Sequence, residues 1–133
     1  MDNKTFLKLP ESEFEIMQGI WALRAEGEPY ISAGVIMKRF PALNRLKLTT
    51  VLTLINRLQM KSFVSTQKKG RANCYTPLVD ETEYKNFLAV DFVDRVFCGN
   101  CASCITAIAS GKELDEATRT ALNAWIAEAE AEK

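Results

Sequence analysis

Apolar positions in the first sixty residues recur at helical spacing. Phe14, Met17 and Trp21 fall at i, i+3 and i+7, with Ile16, Ile20 and Leu23 as a neighbouring stripe, so residues 11–24 are predicted to be a helix. Glu11, Glu13 and Glu15 occupy its first turns, where the helix dipole favours anions. Glu26–Gly27–Glu28–Pro29 is a break. Ser32 reads as the N-cap of a short helix over Ala33–Phe40, which Pro41 stops, and residues 42–47 read as a connection. A third helix is predicted from Thr49 to Met60, with Val51, Leu54, Ile55 and Leu58 inward and Thr50, Thr53, Asn56 and Arg57 outward.

The period then changes. Phe63–Thr66 and Ala72–Thr76 carry aromatic, β-branched and small residues, and the polar stretch Gln67–Arg71 lies between them, so a hairpin with a basic tip is expected. Three short helices and a hairpin make a winged helix-turn-helix, in which the third helix enters the major groove and the hairpin follows the phosphates. Beyond Pro77 the pattern is helical again over residues 81–97, over Cys101–Ser110 after a break at Gly99–Asn100, and in a last helix for which Asp115 is the expected N-cap. The expected fold class is mainly α, with a winged-helix DNA-binding domain over residues 1–78 and a helical dimerisation region over 79–133. So few helical residues cannot bury a core alone, and a second copy of the chain is the favoured cover. Phe87, Phe92, Val96, Leu122 and Ile126 are the expected dimer face, while Trp21, Trp125, Met17, Met37 and Met60 read as core residues.

Charge sharpens this picture. The 133 residues balance 17 Lys+Arg against 17 Asp+Glu, but residues 1–80 hold 12 cations and 7 anions and the remainder 5 and 10. No acid occurs between Glu28 and Asp80, a stretch holding Lys38, Arg39, Arg45, Lys47, Arg57, Lys61, Lys68, Lys69 and Arg71. Such a segment repels itself unless a polyanion neutralises it, which points to double-stranded DNA. Lys47, Thr49, Thr50, Thr53, Asn56, Arg57, Lys68, Lys69 and Arg71 are the candidate DNA-binding residues.

Other chemistry is thin. The chain has no histidine, which removes the commonest general base, and no phosphate-binding loop or nucleophile elbow, so no enzyme is expected. No apolar run approaches the roughly 18 residues of a membrane span, and the polar start lacks a signal-peptide core, so no membrane partner and a cytoplasmic location are expected. Cys98, Cys101 and Cys104 form C-x2-C-x2-C, with Cys74 apart in the predicted wing. The triplet fits a soft-metal or iron–sulfur site completed from elsewhere, a thiol redox sensor, or small apolar residues in a packed face. No cofactor is otherwise expected. A metal- or redox-sensing protein and a winged-helix protein-interaction module are the alternative functions.

The chain resembles the penicillinase-repressor (BlaI/MecI/CopY) family of transcriptional regulators from about Leu9 to Trp125. The resemblance rests on Glu15–Ile16–Met17 with Trp21, Thr50–Val51–x–Thr53–Leu54–x–x–Arg57–Leu58, Gly70–Arg71–x–x–x–Tyr75–Thr76–Pro77, Glu81–x–x–Tyr84 and Arg95–Val96–Phe97–x–Gly99. It implies a homodimeric repressor of a dyad-symmetric operator, with Thr49, Thr50 and Thr53 near bases and Arg57 near phosphate. The chain also departs from the family. Pro10 replaces a Ser or Thr cap, Ala107–Ile108 stands where cleaved members carry Asn-Phe, and the tail lacks the C-x-C of copper-responsive members.

Overall fold

The computed structural model describes residues 5–131. In order, it contains α1 (Glu11–Ala25), α2 (Ala33–Arg39), a 3-10 turn (Pro41–Arg45), α3 (Leu48–Met60), β1 (Val64–Lys69), β2 (Ala72–Pro77), α4 (Glu81–Val96), α5 (Cys101–Gly111) and α6 (Glu116–Ala131). The chain divides into two compact units, one ending at Ala89 and one beginning at Val90.

In the first unit α1 buries Ile16, Met17, Ile20, Trp21 and Leu23 against the stripe Val51, Leu54, Ile55 and Leu58 of α3. Pro10 precedes α1 without any side-chain cap, as its ring demands. Ser32 caps α2, its hydroxyl oxygen accepting the Val35 N–H at 3.2 Å. The segment expected to be a plain connection is a 3-10 turn that carries Leu43 into the core.

The hairpin differs from expectation. Gln67, Lys68 and Lys69 are not loop residues but pair with Cys74, Asn73 and Ala72, leaving a two-residue turn at Gly70–Arg71. An antiparallel ladder needs only backbone groups, so a polar run can carry it. Gly70, with φ at +66°, supplies the positive torsion such short loops require. The base of the hairpin is fixed by Tyr75 N–H donating to Ile31 O at 2.8 Å.

Tyr84 is fully buried amid five rings. Its hydroxyl accepts the Leu9 N–H at 2.8 Å, and Trp21 Nε1 donates to Val79 O at 2.8 Å. These interactions carry the first unit past residue 78, the junction expected from the sequence. Phe87, expected on a dimer face, packs here instead, with ring centroids 6.0 Å from Tyr84 and 5.8 Å from Phe6. An aromatic at helical spacing from Tyr84 is drawn to the same core.

Glu13 is the one buried charged residue among those described, 2% exposed. Lys61 pairs with it, Nζ to Oε1 at 2.7 Å, across 48 positions of sequence. Removing the cation would strand a buried carboxylate. Lys61→Met should therefore cost about 2–3 kcal/mol in urea unfolding, and adding Glu13→Gln should recover part of it. Equal stability of Lys61→Met and wild type would show that Glu13 needs no cation.

In the second unit α4 ends at a turn where Cys98 (φ 51°) and Gly99 (φ 81°) take left-handed conformations. Asn100 caps α5, its side-chain oxygen accepting the Ser103 N–H at 3.0 Å. Asp115 caps α6 as expected, accepting the Thr118 N–H at 2.8 Å. The Thr118 hydroxyl and N–H hold the Asp115 carboxyl below its ordinary range, so the cap persists at neutral pH and is lost only as acid protonates it. Trp125, expected in a core, is 62% exposed, and Met60 at the end of α3 is exposed as well, whereas Met17 is buried and Met37 packs against the core. Among the described residues no single helix is long and apolar enough to cross a membrane.

Candidate nucleic-acid interface

With its apolar stripe committed to α1, α3 turns the opposite face outward. Lys47, Thr49, Thr50, Thr53, Asn56 and Arg57 are all exposed on it or at its start. Thr53 has one hydroxyl proton, which it donates to Thr49 O at 2.9 Å. Its outward chemistry is therefore an acceptor lone pair and a methyl group. Beside α3 the Thr66 hydroxyl donates to Gln59 Oε1 at 2.7 Å, tying the helix to β1. Between helix and hairpin lies an open groove of about 340 Å³ lined by Leu52, Thr53, Asn56, Gln59, Thr66 and Asn73.

The structure sorts the nine cations of the acid-free stretch. Three of them reach back to acids of the first helix and its end. Arg45 pairs with Glu15 through both terminal nitrogens at 3.0 and 2.5 Å, Arg39 with Glu26 at 2.6 Å, and Lys61 with Glu13. The Arg45 hydrogen bonds draw the Glu15 carboxyl below its ordinary range. The other six, Lys38, Lys47, Arg57, Lys68, Lys69 and Arg71, have no acidic partner among the described residues. Lys47 and Arg57 stand towards the two ends of α3, three cations stand at the distal end of the hairpin, and Lys38 is on α2.

The cysteines are not brought together in this way. Cys98 and Cys101 are exposed, Cys104 and Cys74 are buried, and all four are free thiols. Among the described residues no three Cys, Asp or Glu side chains are grouped to hold a metal ion, so the expected ligand set of Cys98, Cys101 and Cys104 is not assembled within one chain. Cys98 lies in the left-handed turn before α5, and Cys104 is the buried residue of α5. What sequence reasoning missed is the apolar part of the α3 surface. Leu48 and Leu52 are 51% and 40% exposed. The helical period already places Leu52 outside the buried stripe, so that signal was present.

An exposed polar helix beside a basic two-stranded wing, whose cations have no acid to answer them among the described residues, is the arrangement of a winged-helix DNA-binding protein of the regulatory class. The sequence profile of the penicillinase repressor family matches residues 9–128. The chain belongs to the penicillinase repressor family. It is 28% identical over 116 residues to the methicillin resistance regulatory protein MecI of Staphylococcus aureus (strain N315), covering 87% of this chain and 89% of that protein. It is 25% identical over 118 residues to the penicillinase repressor of Bacillus licheniformis, covering 85% and 88%. Among solved structures it is similar to the DNA binding domain of the repressor BlaI, at 27% identity and a TM-score of 0.48, over 61% of this chain and 93% of that one.

Proposed function

We propose that the chain is a transcriptional repressor that binds a dyad-symmetric operator as a homodimer, in the cytoplasm, where the chromosome is. The observation that carries this reading is the sorting of charge. Cations facing α1 are neutralised internally, while those beside α3 and on the wing are left for an external polyanion. α3 would lie in the major groove, with Thr49, Thr50, Thr53 and Asn56 towards base edges. Lys47, Arg57, Lys68, Lys69 and Arg71 would take phosphates. A mobility-shift assay on the DNA upstream of the chain's own gene tests it. A retarded complex that survives competition by random duplex is expected, and equal competition by both would overturn sequence-specific repression.

Thr53 is the residue on which specificity should show most plainly. Thr53→Ala removes both the acceptor and the methyl, and should cost roughly 1–3 kcal/mol on the operator and little on random DNA. Equal losses on the two would reassign Thr53 to a phosphate or a packing role.

Dimerisation rests on the apolar groups left outward in the second unit. Phe92, Val96 and Ile126 are exposed and Leu122 half-buried, and exposed Trp125 lies beside Ile126 on α6. An apolar surface of this kind in a short helical segment calls for a cover, and a two-fold operator calls for two readers. Ile126 is 56% exposed, so Ile126→Glu should leave each chain folded. Light scattering should then report monomers. Binding to the full operator should weaken too, because the two half-sites are no longer read by linked chains. An unchanged dimer would remove this face from the interface.

A further inference from the structure

We infer that Leu52, supported by Leu48, is a specificity-determining residue that reads the methyl group of a thymine in each half-site. The inference rests on the operator-binding reading above and deepens it. A single exposed leucine on a protein surface is ordinary. Here two of them, four residues apart, share a side of the helix that the function turns towards DNA. At about 100° per residue, Leu48, Leu52 and Gln59 fall on the flank nearer the wing, while Thr50 and Arg57 fall on the other. Gln59 is held on that flank by Thr66 of β1, and Leu52 lines the same groove as Thr53 and Asn56. Exposed Thr53, whose hydroxyl proton is committed to Thr49 O, adds a methyl group beside this strip.

The surroundings select the occupant. Lys47 precedes this strip at the start of α3, Arg57 stands on the opposite flank of the helix, and Lys68, Lys69 and Arg71 stand on the adjoining wing, all without acidic partners among the described residues. A polyanion fits that frame, and an apolar protein segment does not. The apolar group that duplex DNA presents in its major groove is the C5 methyl of thymine. A leucine offers no donor or acceptor, so it can separate thymine from cytosine only through that methyl. Asn56 and the acceptor of Thr53 would supply the hydrogen bonds alongside.

The test uses the full chain and duplexes selected from a random library. Each thymine of the selected duplex is replaced in turn by deoxyuridine, which deletes only the methyl. One replacement per half-site should weaken wild-type binding about fourfold, the loss of one buried methyl contact. Leu52→Ala should bind thymine and deoxyuridine equally at that position. Leu52→Gln, selected afresh, should exchange the thymine preference for adenine, to which a glutamine can bond twice. Indifference of the wild-type chain to deoxyuridine everywhere would overturn the inference, as would undiminished sensitivity in Leu52→Ala. Leu52 is 40% exposed, so these variants should fold, and Thr53→Ala should keep the deoxyuridine sensitivity at that position, which separates the Leu52 contact from the methyl of Thr53. Selection of no sequence by the wild-type chain would overturn the repressor reading itself, a failure distinct from the other two.

Discussion

Replacing Lys68, Lys69 and Arg71 together by alanine should lower the slope of log K against log salt by about 2.7 per protomer, and affinity by about a hundredfold near physiological salt. The losses should be the same on operator and random duplex, because phosphate contacts carry no base information. The three side chains lie at the distal end of a hairpin whose turn is only Gly70–Arg71, and none has an acidic partner among the described residues. Alanine at these exposed sites should leave the fold alone. Arg39 and Arg45 provide the control. They belong to the same acid-free stretch, yet Glu26 and Glu15 already hold them. Arg39→Ala and Arg45→Ala should therefore leave the salt slope of the wild type, and as solvent-exposed pairs neither should contribute much to stability. A triple wing variant with the wild-type slope would take the wing off the phosphates. A fall in slope on losing Arg45 would mean that its pairing with Glu15 breaks on DNA.

The same contrast shows what could be read along the chain and what could not. α3 was legible because Val51, Leu54, Ile55 and Leu58 repeat at the helical period and a polar face opposes them. The wing was legible as a hairpin, but Gln67–Lys69 has the pattern of a loop, because side-chain pattern says little about a strand end that buries nothing, unlike Val64 at its start. Charge was legible only as a sum. Glu13 and Lys61 lie 48 positions apart and Glu15 and Arg45 lie 30 apart, so their pairing is a property of the tertiary packing around α1. Periodicity also cannot tell a core from a surface awaiting a partner. Phe87, expected outside, packs on Tyr84, whereas Trp125, expected inside, is exposed. The cysteine spacing suggested convergence, but helix and turn geometry leaves two thiols exposed and buries Cys104. The helical period places Leu52 outside the buried stripe, but a leucine there has no polar signature that marks it as a reader of bases.

Tyr84→Ala should be the most destabilising single change in the first unit, about 3–5 kcal/mol by urea unfolding. Its ring is fully buried against Phe63 at 5.3 Å between centroids and against Phe6, Phe14, Trp21 and Phe87 at 5.7–6.0 Å. Deleting it would open a cavity among five rings, and would release the start of α4 from the winged domain. Tyr84→Phe separates ring from hydroxyl. It keeps the packing and leaves the Leu9 N–H without its acceptor, so it should cost about 1–2 kcal/mol. A Phe variant as unstable as the Ala variant would assign the effect to the hydrogen bond instead of the cavity. Alkaline titration adds an independent readout. Burial pushes the Tyr84 hydroxyl above the ordinary tyrosine range, against the lowering effect of the Leu9 hydrogen bond. A raised native value means that ionisation favours the unfolded chain. The contribution of Tyr84 is therefore complete below the ordinary tyrosine pKa, and is lost as pH climbs from there towards the native value. Tyr75, also raised by burial, contributes in the same sense. Wild type should accordingly lose stability with rising alkaline pH more steeply than Tyr84→Phe, which retains only the Tyr75 share. Parallel curves for the two proteins would show that the Tyr84 hydroxyl ionises as easily folded as unfolded, and would place it in water rather than among the rings.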